Sequence, residues 1–168
     1  MLEKNLIVIP TYNEAGNIER LVDRTREIDP SDILIVDDNS PDGTGAIAEN
    51  IALRDPSVSV LRRPKKLGLG SAHLQGMEWA LKNGYDTVLT MDCDFTHPPE
   101  YIPQLRAALS ERQADLVIGS RFPAAGWDRR LVVCAQGDDA NSRLADDLDA
   151  RVALRRDKCA QNLSDVRP

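Results

Sequence analysis

Ile33-Leu34-Ile35-Val36-Asp37-Asp38 is an unbroken apolar run that ends on two carboxylates. Four branched aliphatic side chains in a row suit a strand covered on both faces, and the acids mark its wet end. Working outward, the same kind of run recurs. Leu6-Ile7-Val8-Ile9 precedes it and stops at Pro10. Val58-Ser59-Val60-Leu61, Thr87-Val88-Leu89-Thr90-Met91 and Leu116-Val117-Ile118 follow it. Between these runs, apolar residues return at helical spacing: Ile18, Leu21, Val22 and Thr25, then Ile47 and Ile51 behind Ser40-Pro41-Asp42. Leu74, Met77 and Leu81 come next, stopped by Asn83-Gly84, and Ile102, Leu105 and Leu109 follow Pro99. The order β-α-β-α-β-α-β-α-β implies an α/β domain with a mainly parallel sheet and helices on both faces.

Composition agrees with one soluble globular domain. The chain has 168 residues, 42% of them apolar and 29% charged. That balance excludes a disordered chain or a collagen. No apolar run approaches the roughly 18 residues that a membrane span needs. The start, Met1-Leu2-Glu3-Lys4-Asn5, lacks the regions of a signal peptide. A net charge of −6 argues against nucleic acid as a partner. Cys93, Cys134 and Cys159 are odd in number and fit neither a zinc site nor a redox pair, so a reducing cytoplasmic location is expected.

The tail differs from the rest. From Asp128 onward there are eight Asp but no Glu, Ile or aromatic residue, whereas the first 127 residues hold eight Glu and ten Ile. Residues 1–127 are therefore read as the domain and 128–168 as an atypical C-terminal segment. Leu144, Leu148, Val152 and Arg155 keep some helical periodicity, and no strand is expected there.

Sheets of this kind bind ligands at the carboxyl ends of their strands. Five loops follow those ends: Pro10 to Glu14, Asp37 to Ser40, Arg62 to Lys66, Asp92 to Asp94 and Gly119 to Arg121. In Asp92-Cys93-Asp94 alternate side chains share a face, so both carboxylates can approach one hard cation such as Mg²⁺ or Mn²⁺. Acids also close strands and cap helices. Thr96 could add an oxygen or cap the next helix. Cys93 is read as a small filler between the aspartates, not a nucleophile. Asp38 could accept hydrogen bonds from a base or ribose, or Asp37-Asp38 could serve a turn and helix cap. Lys66-Leu67-Gly68-Leu69-Gly70-Ser71-Ala72 is a glycine loop before a helix that permits close approach of an anion, and it matches neither the P-loop nor G-x-G-x-x-G. Arg121 could hold a phosphate or sugar oxygen. His73 and His97 have no partner at a catalytic spacing. Trp79 is read as packing, and Trp127 is given no role.

Taken together, the segments Ile9 to Glu14, Val36 to Thr44, Lys66 to Gly70, Met91 to Glu100 and Gly119 to Phe122 resemble the family 2 glycosyltransferases. Within that family they are most similar to the polyprenyl-phosphate (dolichol-phosphate) mannosyltransferases. The resemblance covers roughly residues 5 to 127, in the family's order and spacing. It implies a Rossmann-like nucleotide-sugar transferase (GT-A) fold, a nucleotide-diphospho-sugar donor such as GDP-mannose, and a polyprenyl-phosphate acceptor at a membrane surface. By that resemblance Pro10, Tyr12, Glu14, Val36 and Asp38 line the nucleotide pocket, with Lys66 and Cys93 beside it. Asp92 and Asp94 meet the metal and diphosphate, Thr96 takes a third metal-facing position, and Arg121 contacts the donor. The reaction implied is an inverting single displacement by the acceptor phosphate. The site would then lie at the cytoplasmic face of a membrane, where a membrane protein could be a partner. Gly126-Trp127-Asp128-Arg129-Arg130 still looks familial, but the Asp-x-x-Ser-Gly-Phe-like segment of the family is missing after it.

Three other readings stay open. Asp92-Cys93-Asp94-Phe95-Thr96 fits the Asp-x-Asp-x-Thr nucleophile loop of a phosphatase fold, although that loop normally follows the first strand of its domain. The chain could bind a sugar nucleotide without turning it over. A relative using UDP-glucose is the third.

Overall fold

The computed structural model describes residues 3–111, 114–119, 132–135 and 151–155, the last two stretches as backbone. The strands are β1 (Asn5–Thr11), β2 (Asp32–Asp37), β3 (Val58–Arg62), β4 (Thr87–Thr90), β5 (Leu116–Gly119), β6 (Val132–Ala135) and β7 (Arg151–Arg155). The helices are α1 (Ile18–Ile28), α2 (Thr44–Arg54), α3 (Leu69–Lys82) and α4 (Ile102–Glu111), with a 3₁₀ turn at Pro99–Tyr101 leading into α4. One sheet runs β3-β2-β1-β4-β7-β5-β6. The pairs β1–β2, β1–β4 and β2–β3 are parallel.

Alternation along the strands sorts the core into two layers. Ile7, Ile9, Ile33, Ile35 and Leu89 pack with α1, α2 and α4. Leu6, Val8, Leu34, Val36 and Val88 face the other way, onto α3. Every one of these residues is almost fully buried, which is why Leu6 to Ile9 and Ile33 to Val36 carry no polar residue. Gly76 on α3 lies close against the sheet. A β-carbon there would sit 2.5 Å from Val8 Cγ1. Gly84, at φ +74°, turns the chain out of α3 as its place after Asn83 suggests.

Two expectations need correction. Pro10 does not stop β1; it lies inside the strand, opposite Val36. Pairing with β4 has already ended at Val8 opposite Thr90, so the missing Pro10 N–H costs no ladder bond on that side. The tail also holds strands. β7 lies antiparallel between β4 and β5, and β6 lies antiparallel to β5 on its other side. Arg151-Val152-Ala153-Leu154-Arg155 is too short an apolar run, set among Asp and Arg, for periodicity to separate strand from helix.

β1 is the point where the chain's winding reverses: β2 and β3 lie on one side of it and β4 on the other. A crevice opens at such a point beyond the carboxyl ends of the strands.

Candidate functional site

A cleft of about 240 Å³ occupies that crevice. Pro10, Tyr12 and Glu14 reach it from the end of β1, Asp38 from the end of β2, Lys66 from the loop after β3, and Asp92, Cys93 and Asp94 from the end of β4. Eight of the residues singled out in the sequence therefore share one cleft. Gly68, Leu69 and Ala72, from the glycine loop, and Thr11, from the end of β1, line it too, though none of the four was given a role of its own. Val36 is not brought to it: its side chain is buried in the α3 layer of the core. Thr96 lies outside the lining, and Arg121 lies outside the described residues.

The loops around the cleft hold one another. The Asn13 N–H donates to Ser40 Oγ at 3.0 Å, the Glu14 N–H to Thr44 Oγ1 at 2.8 Å, and the Ala15 N–H to Asp42 Oδ2 at 3.0 Å. The segment Asp37 to Thr44 thus clamps the loop that follows β1. Asp37 is the anchor. It is fully buried and accepts from the Ser40 hydroxyl at 2.6 Å, the Ser40 N–H at 3.2 Å and the Thr11 hydroxyl at 3.3 Å, with Arg62 Nε 3.2 Å away. Asn13, Asn39 and Phe95 sit at positive φ around the rim, where asparagine tolerates the left-handed region better than most residues and phenylalanine does not.

Just ahead of α2, whose N-cap is Gly43, Asp42 Oδ1 accepts the Thr44 N–H at 3.0 Å and the Thr44 hydroxyl at 2.6 Å. The Thr44 hydroxyl holds the Asp42 carboxyl below the ordinary carboxylate range, against a smaller opposing effect of burial. A carboxyl depressed in the folded state adds stability above its unfolded pKa and loses it as pH falls through the folded value. Asp42→Ala removes these hydrogen bonds and is expected to cost about 0.5–1.5 kcal/mol near neutral pH. In denaturant unfolding the gap to the parent should narrow as pH drops below the carboxylate range. A gap that persists in acid would mean that Asp42 acts by something other than its charge.

Asp92 and Asp94 meet the cleft from a tight loop. The Thr96 hydroxyl and N–H donate to Asp94 Oδ1 at 2.6 Å and 2.9 Å. Burial works to raise the Asp94 carboxyl, but the two Thr96 bonds and the nearby His97 outweigh it, so the group ends below its usual range. His97 is buried, with Nδ1 3.2 Å from the Asp92 N–H and 3.4 Å from Asp92 Oδ2. Its place is behind the aspartate loop, which it braces. Cys93 is also buried. Burial raises its thiol well above the ordinary range, and Glu14, Asp94 and Asp92 add to the effect, so it is no nucleophile near neutral pH.

Among the described residues no group of three or more His, Cys, Asp and Glu side chains forms a closed ligand set. Two carboxylates at an open cleft nevertheless fit Mg²⁺ or Mn²⁺, ions that take their remaining ligands from phosphate and water. In the same cleft, Lys66 Nζ lies 4.0 Å from the centre of the Tyr12 ring. The cleft therefore brings carboxylates together with a cation and an aromatic ring. Such an arrangement suits a molecule with a flat ring at one end and a metal-bound diphosphate at the other.

The sequence profile described as "Glycosyl transferase family 2" matches residues 6–132. The polyprenol monophosphomannose synthase of Mycolicibacterium smegmatis is 43% identical over 147 residues, which cover 84% of this chain and 55% of that protein. The undecaprenyl-phosphate mannosyltransferase of Micrococcus luteus is 51% identical over 117 residues, covering 69% and 47%. The dolichol-phosphate mannosyltransferase of Pyrococcus furiosus is 40% identical over 123 residues, covering 71% and 34%. The chain thus spans between a third and just over half the length of these relatives. Among solved structures, the mannosyltransferase PcManGT of Pyrobaculum calidifontis, in complex with GDP-Man and Mn²⁺, superposes with a TM-score of 0.67 at 19% identity over 96% of this chain and 47% of that one. The S. aureus protein TarS, residues 1–349, gives 0.69 at 21% identity over 95% and 49%. At such identities these two speak for the shared fold.

Proposed function

The chain belongs to glycosyl transferase family 2, and from that premise we propose that its cleft binds GDP-mannose and that its mannosyl group passes to a polyprenyl phosphate. The observation that carries this reading is the convergence of Asp92 and Asp94 with Pro10, Tyr12, Glu14 and Asp38 at one crevice. The named activities of the relatives in M. smegmatis, M. luteus and P. furiosus support the choice of sugar and acceptor.

In this reading Tyr12 and Pro10 flank the nucleoside and Asp38 lies at its polar edge. Asp92 and Asp94 would hold Mg²⁺ or Mn²⁺, which supplies positive charge against the leaving diphosphate. Lys66 adds a second cation in the same cleft. An oxygen of the acceptor phosphate attacks the anomeric carbon while the bond from that carbon to the nucleoside diphosphate breaks, inverting the configuration. A phosphate monoester is already anionic near neutral pH, so the attack needs no protein base. This agrees with His97 serving as a brace and Cys93 remaining protonated. The protein's part is to position the donor and to stabilise charge. No helix among the described residues is long and apolar enough to cross a membrane.

The test is to incubate the chain with labelled GDP-mannose, Mn²⁺ and a polyprenyl phosphate in detergent. The expected product is a lipid phosphomannose of inverted configuration. Label entering lipid from UDP-glucose instead would reassign the sugar. Phosphate released from simple monoesters would favour the phosphatase reading. A second reading rests on length: since the chain spans about half of its relatives, it could bind the donor and leave transfer to residues it lacks. Saturable donor binding without transfer would select it.

A further inference from the structure

Arg63 is almost fully buried at 3% exposure, yet it does not line the cleft. Its Nε lies 2.8 Å from Asp38 Oδ1, and its Nη2 donates to Ser71 Oγ at 2.6 Å. Its own N–H donates to the Asp37 carbonyl at 2.8 Å. The other Asp38 oxygen, Oδ2, accepts the N–H groups of Leu67 at 3.0 Å and Gly68 at 3.3 Å. Ser71 Oγ is also 2.9 Å from the Leu67 carbonyl and 2.8 Å from that of Gly68. One guanidinium therefore ties together the end of β2, the exit of β3 and the first turn of α3, and the loop between them forms a wall of the cleft.

We propose that Arg63 is a positioning residue for the donor: it holds the Asp38 carboxylate, and through it the Leu67-Gly68 backbone, in the geometry that the nucleotide meets. The inference rests on the donor reading above for its functional half. Two observations favour positioning over simple stabilisation. The pair is poorly made as a stabilising pair. At 2.8 Å the Arg63 Nε–H is not aimed at Oδ1, and Nη1 finds no hydrogen-bond partner among the described residues. A buried ion pair so arranged recovers little of its desolvation cost, and apolar residues in place of both partners would serve stability as well. The placement is also specific. Asp38 is 5% exposed and lies at the cleft, with Oδ2 hydrogen-bonded to the loop and Oδ1 beside the guanidinium as an ion pair only. Without Arg63 it would keep its loop bonds only as an uncompensated buried charge at the edge of the nucleoside site. Neutralising Asp38 and fixing the loop are then one act. Gly68 takes the backbone at φ +94° that lets its N–H turn back onto the carboxylate.

The test uses the whole chain and two variants, Arg63→Met and Arg63→Lys. Hydrogen exchange is followed in the unliganded protein at the Leu67 and Gly68 amides, with β1 and β2 amides as a measure of global stability. Arg63→Met is expected to speed exchange at 67–68 by tenfold or more beyond any change in β1 and β2, and to weaken GDP-mannose binding in Mn²⁺ by about tenfold. Arg63→Lys can reach Asp38 but cannot also span to Ser71, so it should restore part of both. If Arg63→Met fails to fold, Arg63→Lys alone decides, with at least a threefold selective rise in loop exchange expected. Exchange at 67–68 that follows β1 and β2 in the folded variants overturns the proposal. So does an unchanged GDP-mannose affinity while the loop loosens. If the parent chain does not bind GDP-mannose at all, the functional reading fails, while the exchange arm still shows whether Arg63 fixes the loop.

Discussion

Replacing either Asp92 or Asp94 by asparagine should remove the metal dependence of donor binding and weaken that binding at least about 100-fold. Asparagine keeps the size and the loop geometry but removes the charge that a hard divalent cation requires. The charge stabilisation lost with the ion is on the order of several kcal/mol, and each ~1.4 kcal/mol is a factor of ten in affinity. The two positions should also differ. Asp94 is oriented by Thr96, whose bonds favour its ionised form, while Asp92 is braced by His97 from behind. Titration of each variant with GDP-mannose at several Mn²⁺ concentrations gives the comparison. A variant that retains metal-dependent, near-parental affinity would mean that its carboxylate is a strand-closing acid with no part in the site.

Gly76→Val should be the most damaging single substitution in the sheet-facing side of α3. The new β-carbon would lie 2.5 Å from Val8 Cγ1 and 3.1 Å from Cγ2, and Val8 is a fully buried, branched residue with no room to turn aside. Overpacking of a core by small groups costs about 1–3 kcal/mol, and the clash has to outweigh the better helix propensity of valine relative to glycine. A loss near the top of that range would lower Tm by about 10 °C in a protein of this size. Because α3 begins at the cleft wall, displacing the helix should also weaken donor binding, whereas Gly76→Ala paired with Val8→Ala should recover part of both losses. Thermal melting of the two variants beside the parent reads the effect. A Gly76→Val protein that melts with the parent would show that α3 does not approach β1 as closely as described.

Much of this architecture was legible because buried strands leave a plain mark. Leu6 to Ile9 and Ile33 to Val36 carry no polar residue because helices cover both faces. The helices between them show one apolar stripe each, and the residues just past each strand collect the chemistry. The same reasoning could not separate neighbours of like charge. Asp37 and Asp38 look equivalent in sequence, yet Asp37 spends its oxygens on Thr11, Ser40 and Arg62 while Asp38 reaches the cleft. Arg62 and Arg63 are a second such pair: Arg62 stays half-exposed and Arg63 turns inward. Which side chain turns inward depends on the partner that waits there, and that partner lies on another strand. β7 was illegible for a related reason. Its five residues form a strand because β4 and β5 offer it edges on both sides, and nothing local to Arg151–Arg155 reveals those edges.

The specific motif Asp-Asp-Asn-Ser-Pro-Asp-Gly-Thr proves to be largely a clamp. Ser40, Asp42 and Thr44 each hold a backbone N–H of the loop that follows β1. Its density of polar residues records the need to fix Tyr12 and Glu14 at the cleft more than direct contact with a ligand.

The central claim is that the crevice between β1 and β4 is a metal-dependent site for a nucleotide-diphospho-sugar. Calorimetric titration of GDP-mannose into the purified chain, with Mn²⁺ and with a chelator, tests it most directly. Saturable binding in Mn²⁺ that is lost in the chelator is the predicted result. No binding in either condition, by a chain that melts cooperatively, would contradict the account.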